Sequence, residues 1–386
     1  MTWNGNWSFP TPIRFGPGRI KELPAACRRA AMKRPLLVTD PGLAELPMIA
    51  AALDNLREAG LEAGLFSDMK PNPTGDNVSA GIAAYRSGNH DGVIAFGGGS
   101  ALDCGKAIAF MQGQSGELWD YQDQSGGWRH ADSAAMAPVV AVPTTAGTGA
   151  EVGRAAVIVR AQSHEKVIIF HPAMMPAVVI ADPELTLGLP PVLTAGAGMD
   201  ALAHSLEAWC APGFHPYCDG IALEGMRLVK EALPRAFSYG ADIGARAQLL
   251  AAASMGATAF QKGLGAIHAL SHPIGALYDC HHGMTNAVVM PYVLAFNRPA
   301  IEDKMPRLAA YLGLSGGFDA LMDWLLALRA EVGVPHTLAE FGVDDARADS
   351  IAAMAEADST ASTNPRRFGA AEARQVFAAA HAGDLP

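Results

Sequence analysis

The stretch Gly92-Val-Ile-Ala-Phe96-Gly97-Gly98-Gly99-Ser100-Ala101-Leu102-Asp103 decides the class of fold. The run up to Phe96 reads as a strand of the buried type, three glycines turn the chain, and a helical pattern follows from 101 to 111. Outward from this unit the same alternation repeats. Apolar runs at 35–39, 64–66, 138–142, 155–159 and 177–181 read as strands, and 48–59 and 77–87 as helices. Strands separated by helical patterns are the signature of a parallel sheet covered by helices, a Rossmann-like α/β domain assigned to residues 1–187.

Beyond Asp182-Pro183 the character changes. From Thr194 to about Phe237 the chain is rich in Ala and Leu with helical period, as are 244–260, 264–280, 303–313, 317–331, 346–356 and 370–381. Residues 188–386 are therefore expected to form an all-helical domain. A chain of 386 residues accommodates two domains at roughly 150 residues each.

The formal charge is −10, and Lys and Arg are scattered, so no basic stripe exists to neutralise a nucleic acid. No apolar run approaches the roughly 18–20 residues that span a bilayer, and Met-Thr-Trp-Asn-Gly-Asn-Trp-Ser-Phe-Pro at the start has no leader pattern. The expected address is the cytoplasm. Five cysteines, odd in number and without a CxxC, read as reduced thiols and exclude a zinc ribbon.

The glycine turn offers backbone N–H groups and the positive end of a helix to an anion, and pyrophosphate is its natural occupant. The strict GxGxxG fingerprint is absent, since Leu102 stands where its third glycine belongs. Ser100 and Asp103 also have the spacing of a capping box. Asp40 ends the first convincing strand, where a carboxylate either accepts from a ribose hydroxyl or caps a helix. Pro143-Thr-Thr-Ala-Gly-Thr-Gly149 follows another strand and forms a second polar lip.

Six of the twelve histidines fall between positions 204 and 282: His204, His215, His268, His272, His281 and His282. Asp200 and His204 are four apart on a helical pattern, so they share a face, and His268 and His272 repeat the arrangement. His282 follows beside Gly283, where a helix end or loop can turn it back toward the same point. One carboxylate and up to four imidazoles converging between helices suit a first-row divalent metal. On spacing alone His281 could replace His282. His215 has no evident partner and is expected at the surface.

The motifs Gly97-Gly98-Gly99-Ser100-x-x-Asp103, Pro143-Thr144-Thr145-Ala146-Gly147-Thr148-Gly149-x-Glu151, Asp182-Pro183-x-Leu185, Asp200-Ala-x-x-His204 and His268-x-x-x-His272-Pro-x-Gly275-x(6)-His282-Gly283 stand in this order. Together they resemble the iron-containing, or group III, alcohol dehydrogenases, over a span from about Pro12 to Asn364-Pro365-Arg366. The resemblance implies a dinucleotide-binding α/β domain, a helical metal-binding domain and an active site in the cleft between them. It implies Fe²⁺, with Zn²⁺ as the alternative ion, on Asp200, His204, His268 and His282. His272 is then a proton relay or a substrate-orienting group.

Around the cofactor the resemblance implies Asp40, Asn72, Gly97, Gly98, Gly99, Ser100, Asp103, Thr144, Thr145, Thr148, Lys166 and Leu185. Asp40 favours NAD over NADP by repelling a 2′-phosphate. Departures are modest: Ala150 where the family often has Ser, Gly153 where it often has Thr or Ser, and His281 where Pro commonly precedes the last ligand.

The expected reaction is hydride transfer between NAD(H) and a small primary alcohol or aldehyde, in a homo-oligomer. Maleylacetate-reductase-like and glycerol-dehydrogenase-like chemistries are alternatives within the same superfamily. A metal-dependent hydrolase or lyase is an alternative from another class, and it leaves the glycine turn without a task.

Overall fold

The structure is a computed structural model that describes residues 11–163 and 165–385. The first ten residues, read above as carrying no leader, lie outside them. The described chain divides into two compact units. One comprises 11–145 and 149–187, the other 146–148 and 188–385.

The first unit holds a six-stranded sheet built from β1 (Ile13–Phe15), β2 (Pro35–Val38), β3 (Gly64–Phe66), β4 (Gly92–Gly97), β5 (Val139–Pro143) and β8 (Val178–Ala181). Their order is β1-β8-β5-β4-β2-β3, with every pair parallel. Helices α1 (Leu23–Arg29), α2 (Pro41–Ala44), α3 (Pro47–Glu58), α4 (Gly75–Ser87) and α5 (Gly99–Met111) make the connections. Strands β2, β4, β5 and β8 are buried along their whole length, in keeping with apolar sequences that carry no polar side chain.

The chain leaves β2 toward β3 on one side and returns to β4 on the other. The carboxyl ends of β2 and β4 thus flank the switch point, where open α/β sheets take their ligands. Asp182, fully buried after β8, accepts from the backbone N–H groups of Gly18 at 3.2 Å, Ile20 at 2.9 Å and Glu184 at 3.0 Å. It ties the segment after β1 to the end of β8, and this is the structural reason for the Asp182-Pro183 motif.

The expected strand at 155–159 forms, but not in this sheet. It is β6 (Ala155–Arg160), paired antiparallel with β7 (Glu165–Phe170) in a two-stranded sheet of its own. Its alternating burial, with only one face covered, fits a hairpin rather than the interior of a parallel sheet. Strands β1 and β7 have no counterpart in the sequence reading.

Nor does the Ser100–Asp103 capping box form, because the cap of α5 is Gly98. The Ser100 hydroxyl instead accepts from the Asn72 N–H at 3.3 Å. Asp103 turns inward, accepting from the Val157 N–H at 3.0 Å and pairing with the Lys106 ammonium at 3.0 Å. Lys106 is 2% exposed and also donates to the Ala150 carbonyl at 2.9 Å and to that of Ala155. The pair fastens the hairpin to α5.

The second unit comprises α6 (Pro191–Cys210), α7 (Pro216–Ser238), α8 (Ile243–Ala259), α9 (Ala266–Tyr278), α10 (His282–Ile301), α11 (Met305–Tyr311), α12 (Phe318–Glu331), α13 (Ala348–Ala357) and α14 (Ala370–Ala382). Helix α6 is buried continuously from Thr194 and forms the centre of the unit. The stretch read as helical from 194 to 237 breaks at 211–215, and His215 is not at the surface. It is the cap of α7, 7% exposed, with Nδ1 accepting from the Cys218 N–H at 3.3 Å. Helix α10 escaped the sequence reading because it is buried on nearly every side and carries Pro291 and Pro299, so it shows neither an apolar stripe nor a clean helical composition. No helix among the described residues is long and apolar enough to cross a membrane.

Truncating Asp103 to Ala strands the buried Lys106 charge. Asp103→Ala is expected to lower the unfolding free energy by about 3 kcal/mol, as breaking a buried ion pair does, in a denaturant titration of the full chain.

Candidate metal centre

Asp200, His204 and Glu207 project from one face of α6, at the i, i+4, i+7 spacing of a helix stripe. Helix α9 supplies His268 and, one turn on, His272. Helix α10 begins at His282, with His281 as its cap. The His281 Nδ1 accepts from the Met284 N–H at 3.3 Å, which engages the rival imidazole in capping.

The first turn of α10 lies directly on α6. A Cβ on Gly283 would stand 2.1 Å from the Gly196 carbonyl oxygen and 2.9 Å from Asp200 Cβ, so only glycine lets the two backbones approach this closely. That contact brings His282 to Asp200.

The donor atoms converge. The Nε2 atoms of His204, His268 and His282 lie 3.7, 3.8 and 3.6 Å from the same oxygen, Asp200 Oδ1. Donor atoms of Asp200, His204 and His268 lie within 4.8 Å of one another, and all three residues are buried. The side chain of His282 is 26% exposed and forms the open side of the cluster. In a tetrahedral shell with the usual metal–nitrogen bond lengths, neighbouring donors are about 3.3 Å apart, close to the three distances from Asp200 Oδ1, whereas the mutually close group of Asp200, His204 and His268 does not include His282. The residues present fit a divalent cation.

For Asp200 and His204 the protonation states agree with that fit. Burial opposes charge on Asp200, but the imidazoles of His204 and His282 and the contact with His268 hold its carboxyl far below the usual carboxylate range. Burial pushes His204 down to about 4. An ionised carboxylate and a neutral imidazole at pH 7 are the forms that donate to a cation. Burial works against protonation of His268 too, yet the Glu207 and Asp200 carboxylates outweigh it and raise this imidazole to about 9, so it donates to a cation by releasing a proton.

His272 stands apart from the four. Its ring stacks on His282 at 5.4 Å, and its Nδ1 lies 2.7 Å from Asp358 Oδ2. Asp358 is held in turn by the Thr360 N–H at 2.9 Å and hydroxyl at 2.6 Å.

Asp358, Glu207 and Asn286 are the site residues that sequence reasoning missed. Asn286 donates to Asp200 Oδ1 at 2.8 Å and approaches the Nε2 atoms of His268 and His282 at 3.3 Å each. Asn286 and Glu207 carried a usable signal, each a helical step from a candidate ligand. Asp358, 86 positions from His272, carried none.

In the α/β unit the residues expected around a cofactor fall into two groups. Asp40, Gly97, Gly98, Gly99 and Ser100 gather at the carboxyl ends of β2 and β4. Gly97 has φ +148°, and a Cβ there would stand 2.7 Å from Ala101 Cβ and 3.7 Å from Asp40 Oδ2. Asp40 caps α2, accepting from the Leu43 N–H at 2.9 Å through its other oxygen. Thr144, at the end of β5, donates its N–H to the Gly97 carbonyl at 3.0 Å, and Thr145 Cγ2 lies 3.3 Å from the Cβ position of Gly98. Asn72 meets this group through Ser100.

Asp103 and Leu185 belong to the second group, facing the interior, one paired with Lys106 and the other in the core with Phe96, Val142 and Ile180. Lys166 sits on β7 opposite Val159. Thr148 belongs to the helical unit.

Comparison with known proteins agrees with this architecture. The profile of the iron-containing alcohol dehydrogenases matches residues 10–183, and that of the C-terminal part of the Fe-containing alcohol dehydrogenase family matches 194–381. The 4-hydroxybutyrate dehydrogenase of Cupriavidus necator is 40% identical over 380 residues, covering 96% of this chain and 98% of that protein. The crystal structure of a 1,3-propanediol oxidoreductase superposes with a TM-score of 0.91 at 33% identity, covering 97% of this chain and 99% of the other. The sulfoacetaldehyde reductase of Bifidobacterium kashiwanohense, solved in complex with NAD⁺, gives 0.89 at 26% identity with both chains fully covered. Two profiles in sequence, a relative matched from end to end and a histidine cluster at the core of the helical unit lead to one conclusion: the chain is an oxidoreductase of the iron-containing alcohol dehydrogenase family.

Proposed function

We propose that the chain is a metal-dependent alcohol dehydrogenase and aldehyde reductase that exchanges a hydride between NAD(H) and a small primary alcohol or its aldehyde. The observation that carries this reading is the set of three imidazole Nε2 atoms 3.6 to 3.8 Å from one buried carboxylate oxygen. The NAD⁺ held by the sulfoacetaldehyde reductase supports the choice of cofactor. A homo-oligomer working in the cytoplasm completes the reading.

Asp200, His204, His268 and His282 would hold the cation, Fe²⁺ in this reading, although Zn²⁺ suits the same nitrogen and oxygen donors. When bound, it supplies Lewis acidity at the alcohol or carbonyl oxygen. The remaining work falls to the chain. Asp358 takes the Nδ1 hydrogen bond of His272 and leaves Nε2 as the proton acceptor. NAD⁺, when bound, would supply the hydride acceptor for alcohol oxidation, and His272 would take the hydroxyl proton. Its side chain is 15% exposed and returns the proton to water. Reduction runs the same transfers backward.

On the cofactor side, the turn Gly97 to Ser100 offers backbone N–H groups at the start of α5 to the pyrophosphate. Asp40 would accept from the adenosine ribose and repel a 2′-phosphate. Asn72, Thr144, Thr145, Thr148 and Lys166 would complete the polar surround, with Asp103 and Leu185 supporting it from below.

Purified without oxygen, the wild-type chain is expected to carry about one iron or zinc ion and to oxidise NADH with short aldehydes, and His268→Ala to lose both. A wild-type chain with neither property, or a His268→Ala chain with wild-type turnover, would overturn the reading. His272→Ala is expected to lower kcat by roughly 10²- to 10⁴-fold at unchanged metal content, with Asp358→Asn moving kcat in the same direction. In Asp40→Ala the preference for NADH over NADPH should narrow by roughly tenfold in kcat/KM, a change of about 1.4 kcal/mol.

A further inference from the structure

The Glu207 carboxylate is buried, 6% exposed, and both its oxygens are committed to α9. Oε1 accepts from the Ile267 N–H at 2.7 Å, and Oε2 lies 2.5 Å from His268 Nδ1. We infer that Glu207 is a positioning residue of the metal centre, holding the proton of His268 on Nδ1 so that Nε2 presents a lone pair toward Asp200. The inference rests on the reading of His268 as a ligand.

A neutral imidazole carries one N–H and one lone pair, and an ionised carboxylate only accepts. Glu207 therefore selects the tautomer that ligates through Nε2. The opposite side of the ring agrees. The Asn286 amide is oriented by its 2.8 Å donation to Asp200 Oδ1, which leaves a second N–H able to serve a lone pair on Nε2 of either His268 or His282, each 3.3 Å away.

A role confined to anchoring the start of α9 does not account for the arrangement. Asn364 already anchors it, accepting from the Ala266 N–H at 3.1 Å while exchanging two hydrogen bonds with Asn297 at 2.8 and 2.9 Å. One oxygen of Glu207 shares that anchoring task; the other is given to the imidazole. Carboxylates behind metal-ligating histidines raise ligand basicity and fix ring orientation, and their loss weakens metal binding.

Glu207→Gln tests this with almost no change of volume. If the amide nitrogen faces His268, Nδ1 must become the acceptor and the proton moves to Nε2, where it blocks ligation. The full chain, stripped of metal and titrated with Zn²⁺ against a chromophoric chelator, is expected to bind roughly 10- to 100-fold more weakly in Glu207→Gln than in wild type. Glu207→Asp keeps the charge, and its affinity is expected to fall between the two. Thermal unfolding of the metal-free proteins separates this from a merely structural role, which would lower the midpoint and leave the Zn²⁺ affinity of the folded protein unchanged.

Wild-type binding with Glu207→Gln within threefold of it overturns the positioning role alone. If Glu207→Gln does not fold, the same comparison is read from Glu207→Asp, where equal affinity overturns the role. Absence of Zn²⁺ binding in the wild type overturns the metal-centre reading itself, and the inference with it.

Discussion

An ionised carboxylate at the heart of a helical unit is the constraint on which the rest of that unit depends. Taking Asp200 out of water is costly unless its charge is met; the Asn286 amide donates to one of its oxygens at 2.8 Å, and three imidazole Nε2 atoms stand 3.6 to 3.8 Å from that same oxygen, where a shared cation would compensate the carboxylate. Those groups come from α6, α9 and α10, so three helices must meet at this point. Gly283 lets α10 lie on α6, and Glu207 with Asn364 fixes where α9 begins. Helix α6 is consequently buried nearly end to end, with small residues on the faces that its neighbours press against.

The α/β unit solves a related problem without a cluster. Lys106 and Asp103 neutralise each other beneath the glycine turn, and Asp182 is satisfied by three backbone N–H groups at the far side of the sheet. These residues stand in or beside motifs that also carry groups at the switch point. A motif of this family thus mixes two kinds of residue. Gly97, Ser100 and Asp40 face the switch point, whereas Asp103, Lys106 and Asp182 hold the turns that present them.

What the sequence shows clearly is what short spacing encodes. The glycine turn, Asp200 with His204, and His268 with His272 are each complete within a few residues, and helix or strand geometry converts that spacing into a shared face. The alternation of strands and helices was legible for the same reason. The placement of β6 was not, because an isolated hairpin and a sheet strand look alike over six residues. Helix α10 was hidden by its own burial, since a helix covered on all sides has no polar face to set a period. His215 looked solitary because its partners are a backbone N–H and neighbours brought in by folding. Asp358 reaches His272 only through tertiary structure.

The donors of the centre are drawn from positions 200, 204, 268 and 282, so one ion would close long stretches of chain into loops. In the unfolded chain these groups are far apart and bind weakly. A cation that binds the folded unit therefore pulls the folding equilibrium by mass action, adding stability that grows with the logarithm of free ion over dissociation constant. Helix α9 ends at the left-handed Asp279, φ 53°, shortly before the next donor, His282, at the start of α10. The supply of the ion would then govern not only how many molecules turn over substrate but how long each one survives proteolysis.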